Sequence, residues 1–318
     1  MLTAMRGWPG VGKTTTAAAL AYDNEVMDHY KDGILWASLG THPLILPKLA
    51  EWGRALNYPE IMTAQNSQEA SHLLASVLRT KQMLMIIDDV WEASDVKPFL
   101  VGGPNCGMIV TTRETSLANL ITSPNHVYPL RELSLESSLK LFQKTAPDVY
   151  SNHFPKCEEL AKDLEGLPLA ILVAGKLLQT EWSSGLPLDK VFRELKKGFL
   201  LLQSSAPLEK IDLLSETTPS VASVLLTSID HLSEQARKCF SYLGVFSETP
   251  ATFGLENISY LWRDILPKEL VESVIKELIN HGLMEYIPEQ DRYQMHALLI
   301  KLAHSLLDKS SHGEDRPQ

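Results

Sequence analysis

Cysteine is scarce in this sequence: three in 318 residues, Cys106, Cys157 and Cys239. None stands in a CxxC pair or beside a histidine at metal-ligand spacing, which excludes a disulfide framework or a zinc finger. The same scarcity fits the reducing cytosol, so a cytoplasmic location is expected. No apolar run reaches the roughly 18 residues of a membrane-crossing helix. The opening Met1-Leu2-Thr3-Ala4-Met5-Arg6 is too short for a signal peptide and reads as a strand. Basic residues are outnumbered, 29 against 39 acidic, giving a formal net charge of −10. A field of that sign repels nucleic-acid phosphates and anionic membrane surfaces, so neither is an expected partner. What is present is ordinary globular composition, 44% hydrophobic and 21% charged, in a chain long enough for two or three domains.

Through residue 132, short apolar runs alternate with helical patterns, the signature of a parallel α/β sheet. Strands are expected over 2–5, 33–39, 83–88, 107–111 and 127–130, with helices beginning near Thr14, Leu44, Ser67 and Glu114. Met83-Leu84-Met85-Ile86-Ile87 is apolar on both faces, as a central parallel strand must be. From 133 to 205 strand patterns vanish. Leu135, Leu139 and Phe142 recur at helical spacing behind Ser134 as N-cap, and further helices are expected over 156–164, 168–179 and 189–200. Arg193, Lys196 and Lys197 form a mild basic cluster there, read as a solvated helix face. Residues 203–220 lack periodicity and read as an irregular boundary.

A third unit is expected over 206–309. Val271, Val274, Ile275, Leu278 and Ile279 make a helical stripe ended by Gly282. Two strand-like runs, 283–287 and 292–295, follow, joined by Pro288-Glu289-Gln290-Asp291, and a last helix turns Leu299, Leu302, Ala303 and Leu306 inward. Helices, a hairpin and another helix describe a winged-helix subdomain. The polar residues 310–318 read as a disordered tail.

The chemistry begins at Gly7-Trp8-Pro9-Gly10-Val11-Gly12-Lys13-Thr14, a P-loop pattern between a strand and a helix. Its glycines let the loop wrap phosphate oxygens and aim backbone N–H groups inward. Lys13 adds a charge for the β- and γ-phosphates, the Thr14 hydroxyl suits Mg²⁺, and the helix behind them offers its positive end. Asp88 and Asp89 close the apolar strand: the first suits the Mg²⁺ shell, the second could polarise an attacking water. Thr111-Thr112-Arg113 closes the next strand, where an arginine can reach a γ-phosphate. ATP or ADP with Mg²⁺ is therefore the expected ligand. The residues to hold it are Gly10, Val11, Gly12, Lys13, Thr14 and Thr15, with Lys13, Asp88, Asp89 and Arg113 as the catalytic set and Thr14 and Asp88 on the metal.

These motifs, with Gly166-Leu167-Pro168-Leu169-Ala170 and Tyr293-Gln294-Met295-His296, occur in an order that resembles the NB-ARC module of the STAND class of signal-transduction ATPases. The likeness covers about residues 1–308. It implies a P-loop NTPase domain with a parallel sheet, then a helical subdomain and a winged-helix subdomain. It also implies that Pro168 packs on the adenine and that His296 contacts the β-phosphate of ADP in a closed state. Without the likeness, Pro168 reads as a first-turn proline and His296 as a capping or core histidine. Two departures stand out. The family usually places Asp after the histidine, an acid that helps lock the ADP form, and here the residue is Ala297. The family also has an adenine-binding segment before its first strand, and only six residues precede Gly7.

The resemblance implies a slow ATPase acting as a molecular switch, closed with ADP and self-associating as a homo-oligomer with ATP. Effector and sensor domains that flank such a module are not in this sequence. Two other classes compete. A transcription regulator would bind duplex DNA through the winged helix. A P-loop metabolic kinase would need a substrate-site motif, which the sequence does not offer.

Overall fold

Alternate residues of the strand Met83–Val90 go to opposite cores. Met83, Met85 and Ile87 lie in one apolar cluster, and Leu84 and Ile86 in another. A strand apolar at every position can be buried only between two helical layers, and its period of two feeds both. The structure is a computed structural model that describes residues 2–7, 10–40, 42–113, 115–204, 219–246 and 252–313. It divides into two compact units, Met1–Arg131 and Glu132–Gln318.

The first unit runs β1 (Leu2–Arg6), α1 (Lys13–Ala21), α2 (Asn24–His29), β2 (Gly33–Gly40), α3 (Ile45–Ala55), α4 (Pro59–Met62), α5 (Ser67–Leu78), β3 (Met83–Val90), α6 (Ala93–Val96), β4 (Gly107–Thr112), α7 (Thr115–Ile121) and β5 (Val127–Pro129). Its five strands form one sheet in the order β2-β3-β4-β1-β5, parallel throughout. Leu49 and Trp52 of α3 and Ala70, Leu74 and Leu78 of α5 pack on one face. Ala17 of α1 and Val26 of α2 pack on the other. The buried Trp52 indole finds its acceptor in the Trp36 carbonyl at 2.9 Å and meets the Phe99 ring edge-on at 5.1 Å. All five expected strands are present. Three short helices, α2, α4 and α6, are additions, each too brief to show a periodic stripe.

The second unit opens with α8 (Leu135–Thr145), α9 (Pro147–Asn152), α10 (Phe154–Asp163), α11 (Pro168–Ser183) and α12 (Leu188–Ser204). Ser134 caps α8, its side chain accepting the Ser137 N–H, and Pro168 opens α11, where no intrahelical N–H is needed. Then come α13 (Pro219–Asp230), α14 (Glu234–Tyr242), β6 (Thr252–Phe253), α15 (Leu255–Trp262), α16 (Val271–Asn280), β7 (Glu285–Ile287), β8 (Arg292–Gln294) and α17 (Ala297–Gly313). The three strands form an antiparallel sheet in the order β6-β8-β7.

One apolar core runs through this unit from Phe142 to Ala303. It includes the fully buried Trp262, whose indole donates to the Cys239 carbonyl at 2.9 Å. The helices α13, α14 and α15 and the strand β6 were not expected. Of the irregular boundary over 203–220, residues 203–204 lie in α12 and 219–220 in α13, while 205–218 lie outside the described residues. Likewise α17 runs on to Gly313, past the start of the expected tail, and 314–318 lie outside the description. Lys196 of the basic cluster pairs with Glu159, and the Arg193 Nε donates to the Asp189 carbonyl. No described helix is long and apolar enough to cross a membrane.

Candidate functional site

Because β3, β4 and β1 are consecutive in a parallel sheet, the residues after each strand share one edge. Ligands of open α/β sheets bind at that carboxyl edge. After β1 the chain turns into α1. Gly12 caps the helix at φ 99°, a left-handed conformation that a Cβ would strain. Gly7 runs so near the strand beside it that a Cβ there would sit 2.7 Å from the Leu130 carbonyl oxygen. Thr16 N–H bonds the Gly12 carbonyl at 2.8 Å, so the N–H groups of Lys13, Thr14 and Thr15 precede the helix's own ladder. With Gly10 also at positive φ and Val11 buried beneath, the loop is built to turn amides and the helix end to an anion.

Lys13 is buried, 8% exposed, and its Nζ donates to the Gly7 carbonyl at 2.7 Å. Burial first, then the Arg113 charge, brings its pKa down to about 8, with Asp89 and Asp88 acting against the shift. The Thr14 hydroxyl donates to the Asp88 carboxylate, 2.9 Å from Oδ1 and 3.0 Å from Oδ2. Asp88 is itself buried, and burial pushes its carboxyl above the ordinary range while hydrogen bonds from Thr111 and Thr14 pull it back. A hydroxyl and a carboxylate are hard oxygen donors of the kind Mg²⁺ takes when phosphates complete its shell. Among the described residues no cluster of three or more His, Cys, Asp or Glu could hold a metal. The Thr14 hydroxyl and Asp88 carboxylate are a donor set of the kind that fits Mg²⁺.

Asp89 lies beside Asp88 at φ 54°, and its Oδ1 is 3.7 Å from Arg113 Nε. The Arg113 guanidinium also lies over the Trp91 ring, 4.6 Å from its centroid. Thus Lys13, Thr14, Asp88, Asp89 and Arg113 gather at one sheet edge, with Thr15 exposed on the first turn of α1. Two contributors escape sequence reasoning. Trp91, just past β3, underlies the arginine. Thr111 bonds Asp88 Oδ1 at 2.5 Å and the Asp89 N–H at 2.9 Å. The triplet Thr111-Thr112-Arg113 marks the place but not which threonine faces the acids.

The other two expected site residues belong to the second unit. Pro168 is half-buried at the first position of α11. His296 is exposed just ahead of α17 and caps it: the Leu298 N–H bonds its Nδ1 at 3.2 Å, and the Leu299 N–H bonds its carbonyl at 2.8 Å. A tautomer that accepts at Nδ1 carries its proton on Nε2.

A parallel sheet with a glycine-bounded loop, lysine, threonine and strand-end acid at its carboxyl edge defines a P-loop nucleotide-binding protein. Residues 2–151 match the NB-ARC domain family. It is 24% identical over 292 residues to apoptotic protease-activating factor 1 of Mus musculus, covering 87% of this chain and 22% of that protein. It is 25% identical over 280 residues to the probable disease resistance protein RF45 of Arabidopsis thaliana, covering 82% of this chain and 26% of that one. The chain thus spans about a quarter of the length of these relatives. Its fold resembles that of a STAND protein with a tetratricopeptide repeat sensor from Pyrococcus horikoshii, with a TM-score of 0.59 at 16% identity, over 96% of this chain and 40% of that one.

Proposed function

We propose that this chain is the core of an ADP/ATP-dependent signalling switch that hydrolyses ATP slowly. One observation carries the reading: Lys13, the Thr14–Asp88 pair and the Asp89–Arg113 pair converge on a helix-capped glycine loop. The N–H groups from Gly10 to Thr15 and the Lys13 ammonium bind the phosphates. Thr14 and Asp88 would hold Mg²⁺, which would supply positive charge against the phosphates. Asp89 orients water, and Arg113, steadied by Asp89 and Trp91, reports the γ-phosphate. The family likeness supports the rest. Pro168 covers the adenine, and His296 donates from Nε2 to the ADP β-phosphate in a closed state. In this reading residues 133–205 are the helical subdomain and 206–309 a winged-helix subdomain, the three antiparallel strands being its wing. ATP favours an open form that self-associates. Effector and sensor domains belong to flanking sequence, as the greater length of the relatives supports.

The test is nucleotide retention. The purified chain is expected to carry ADP, released on denaturation and identified by chromatography, and Lys13→Ala to carry none. A Lys13→Ala protein that still holds one equivalent of nucleotide would overturn the assignment.

A further inference from the structure

Two residues of β3 stand against one of β4. The register pairs Ile87 with Val110 and Val90 with Thr112, which leaves Asp88 and Asp89 opposite Thr111 alone. This is a bulge in a parallel pair, where bulges are uncommon. At it Asp89 takes a left-handed backbone, φ 54°, which a non-glycine residue keeps only when its surroundings impose it. The Thr111 hydroxyl supplies that constraint. Its oxygen accepts the Asp89 N–H at 2.9 Å, and its proton goes to Asp88 Oδ1 at 2.5 Å. The side chain is 1% exposed, so water does not compete for either bond.

The roles are fixed by inventory. A hydroxyl has one proton, an amide N–H can only donate, and an ionised carboxylate can only accept. Thr111 therefore has a single arrangement that satisfies both neighbours. One bond aims the Asp88 carboxylate at Thr14, 2.9 Å away. The other holds the bulge that swings the Asp89 carboxylate to within 3.7 Å of Arg113 Nε.

We propose that Thr111 is a positioning residue of the nucleotide site: its one hydroxyl sets the metal-facing acid and the arginine-paired acid at once. The inference rests on the Mg²⁺-nucleotide reading of the site and gives the sheet bulge its purpose. Thr111 touches neither phosphate nor cation in this scheme and acts only through Asp88 and Asp89. Groups that orient metal ligands in this way typically govern about 10- to 100-fold in metal affinity.

The experiment compares wild type, Thr111→Val and Thr111→Ser in binding a fluorescent ADP analogue, with Mg²⁺ and with EDTA. Valine keeps the shape and removes both bonds; serine keeps both. Wild type should bind more tightly with Mg²⁺ than with EDTA. Thr111→Val should keep its EDTA affinity within about twofold, since Lys13 and the loop amides are untouched, yet lose about tenfold in the Mg²⁺ titration. Thr111→Ser should restore the wild-type response. Mn²⁺ binding to the nucleotide complex, read by electron paramagnetic resonance, should weaken in parallel without any turnover being measured. Should the valine variant not fold, Thr111→Cys, with a weak S–H donor, is measured against Thr111→Ser in the same way. Equal losses in Mg²⁺ and EDTA would mean a merely structural role and overturn the proposal. So would a Mg²⁺ response unchanged from a wild type that binds nucleotide normally, and then the site reading stands. A wild type that binds no nucleotide in either buffer brings down the site reading itself.

Discussion

Lys13 carries the charge that the proposed site offers to phosphate, and it holds it weakly. In the folded chain it titrates near pH 8, below the 10.5 of a free lysine, because burial and the Arg113 charge disfavour the ammonium. Phosphates bind the charged form. Below pH 8 binding costs no proton; above it, each event must first recharge the lysine, so ADP affinity should fall about tenfold per pH unit. The ligand-free fold should move the other way. Between about 8 and 10.5 the unfolded lysine keeps a proton that the folded one has lost, so stability rises with pH over that interval. Fluorescence titrations at pH 7 to 10 check the first sign and urea melts the second; a flat affinity profile would remove Lys13 from the phosphates. Lys13, Thr14, Asp88, Asp89 and Arg113 were all legible in the sequence, because a loop motif and two strand ends suffice to find them. Thr111 was not, since its role depends on the register slip between β3 and β4, and no single-strand pattern encodes pairing.

Among the elements, the strands were the plainest to read. Each is a short apolar run between turn residues, and β3 declared its double burial by having no polar member before Asp88. The unexpected α13 shows the opposite case. Val221, Val224, Leu225 and Ile229 make a sound stripe, all buried, but Ser and Thr crowd the surrounding sequence and masked it. This helix is tied to its neighbours by a polar link. His231, just beyond α13, lies 2.9 Å from Glu181 of α11 through Nδ1 and 2.9 Å from Glu194 of α12 through Nε2. Glu181 is 6% exposed, and its second oxygen has no hydrogen-bond partner among the described residues. Removing the imidazole strands a buried carboxylate, a loss that costs about 3 kcal/mol when no group replaces it. His231→Ala should lower unfolding stability by that amount in urea melts, and Glu181→Gln in the same chain should recover a good part of it. A His231→Ala protein as stable as wild type would show that the link contributes little.

For the whole molecule, the question is how much free energy a nucleotide must deliver. Moving a switch from about 1:99 to 99:1 takes roughly 5.5 kcal/mol of differential affinity. Only contacts made in one state contribute, and His296 is the candidate that can be deleted alone. It is exposed, and its Nδ1 accepts the Leu298 N–H. One hydrogen bond to a charged group is worth about 1.5 to 3 kcal/mol. His296→Leu should therefore speed ADP release by at least about tenfold and raise the self-associated fraction, seen by stopped-flow and light scattering. Unchanged release and unchanged mass would separate the residue from the nucleotide.

The strand order carries a further consequence, for biosynthesis. β1 emerges from the ribosome before the other four strands, yet its partners are β4 and β5, more than a hundred residues later. The segment that leads into the phosphate loop must therefore wait, unpaired, until most of its unit has been made. Non-local parallel pairing of this kind forms slowly and leaves apolar edges open to wrong partners. Within its unit the phosphate loop is made before the strands that flank it in the sheet, so in the proposed reading the nascent unit binds nucleotide only once the sheet has closed around β1.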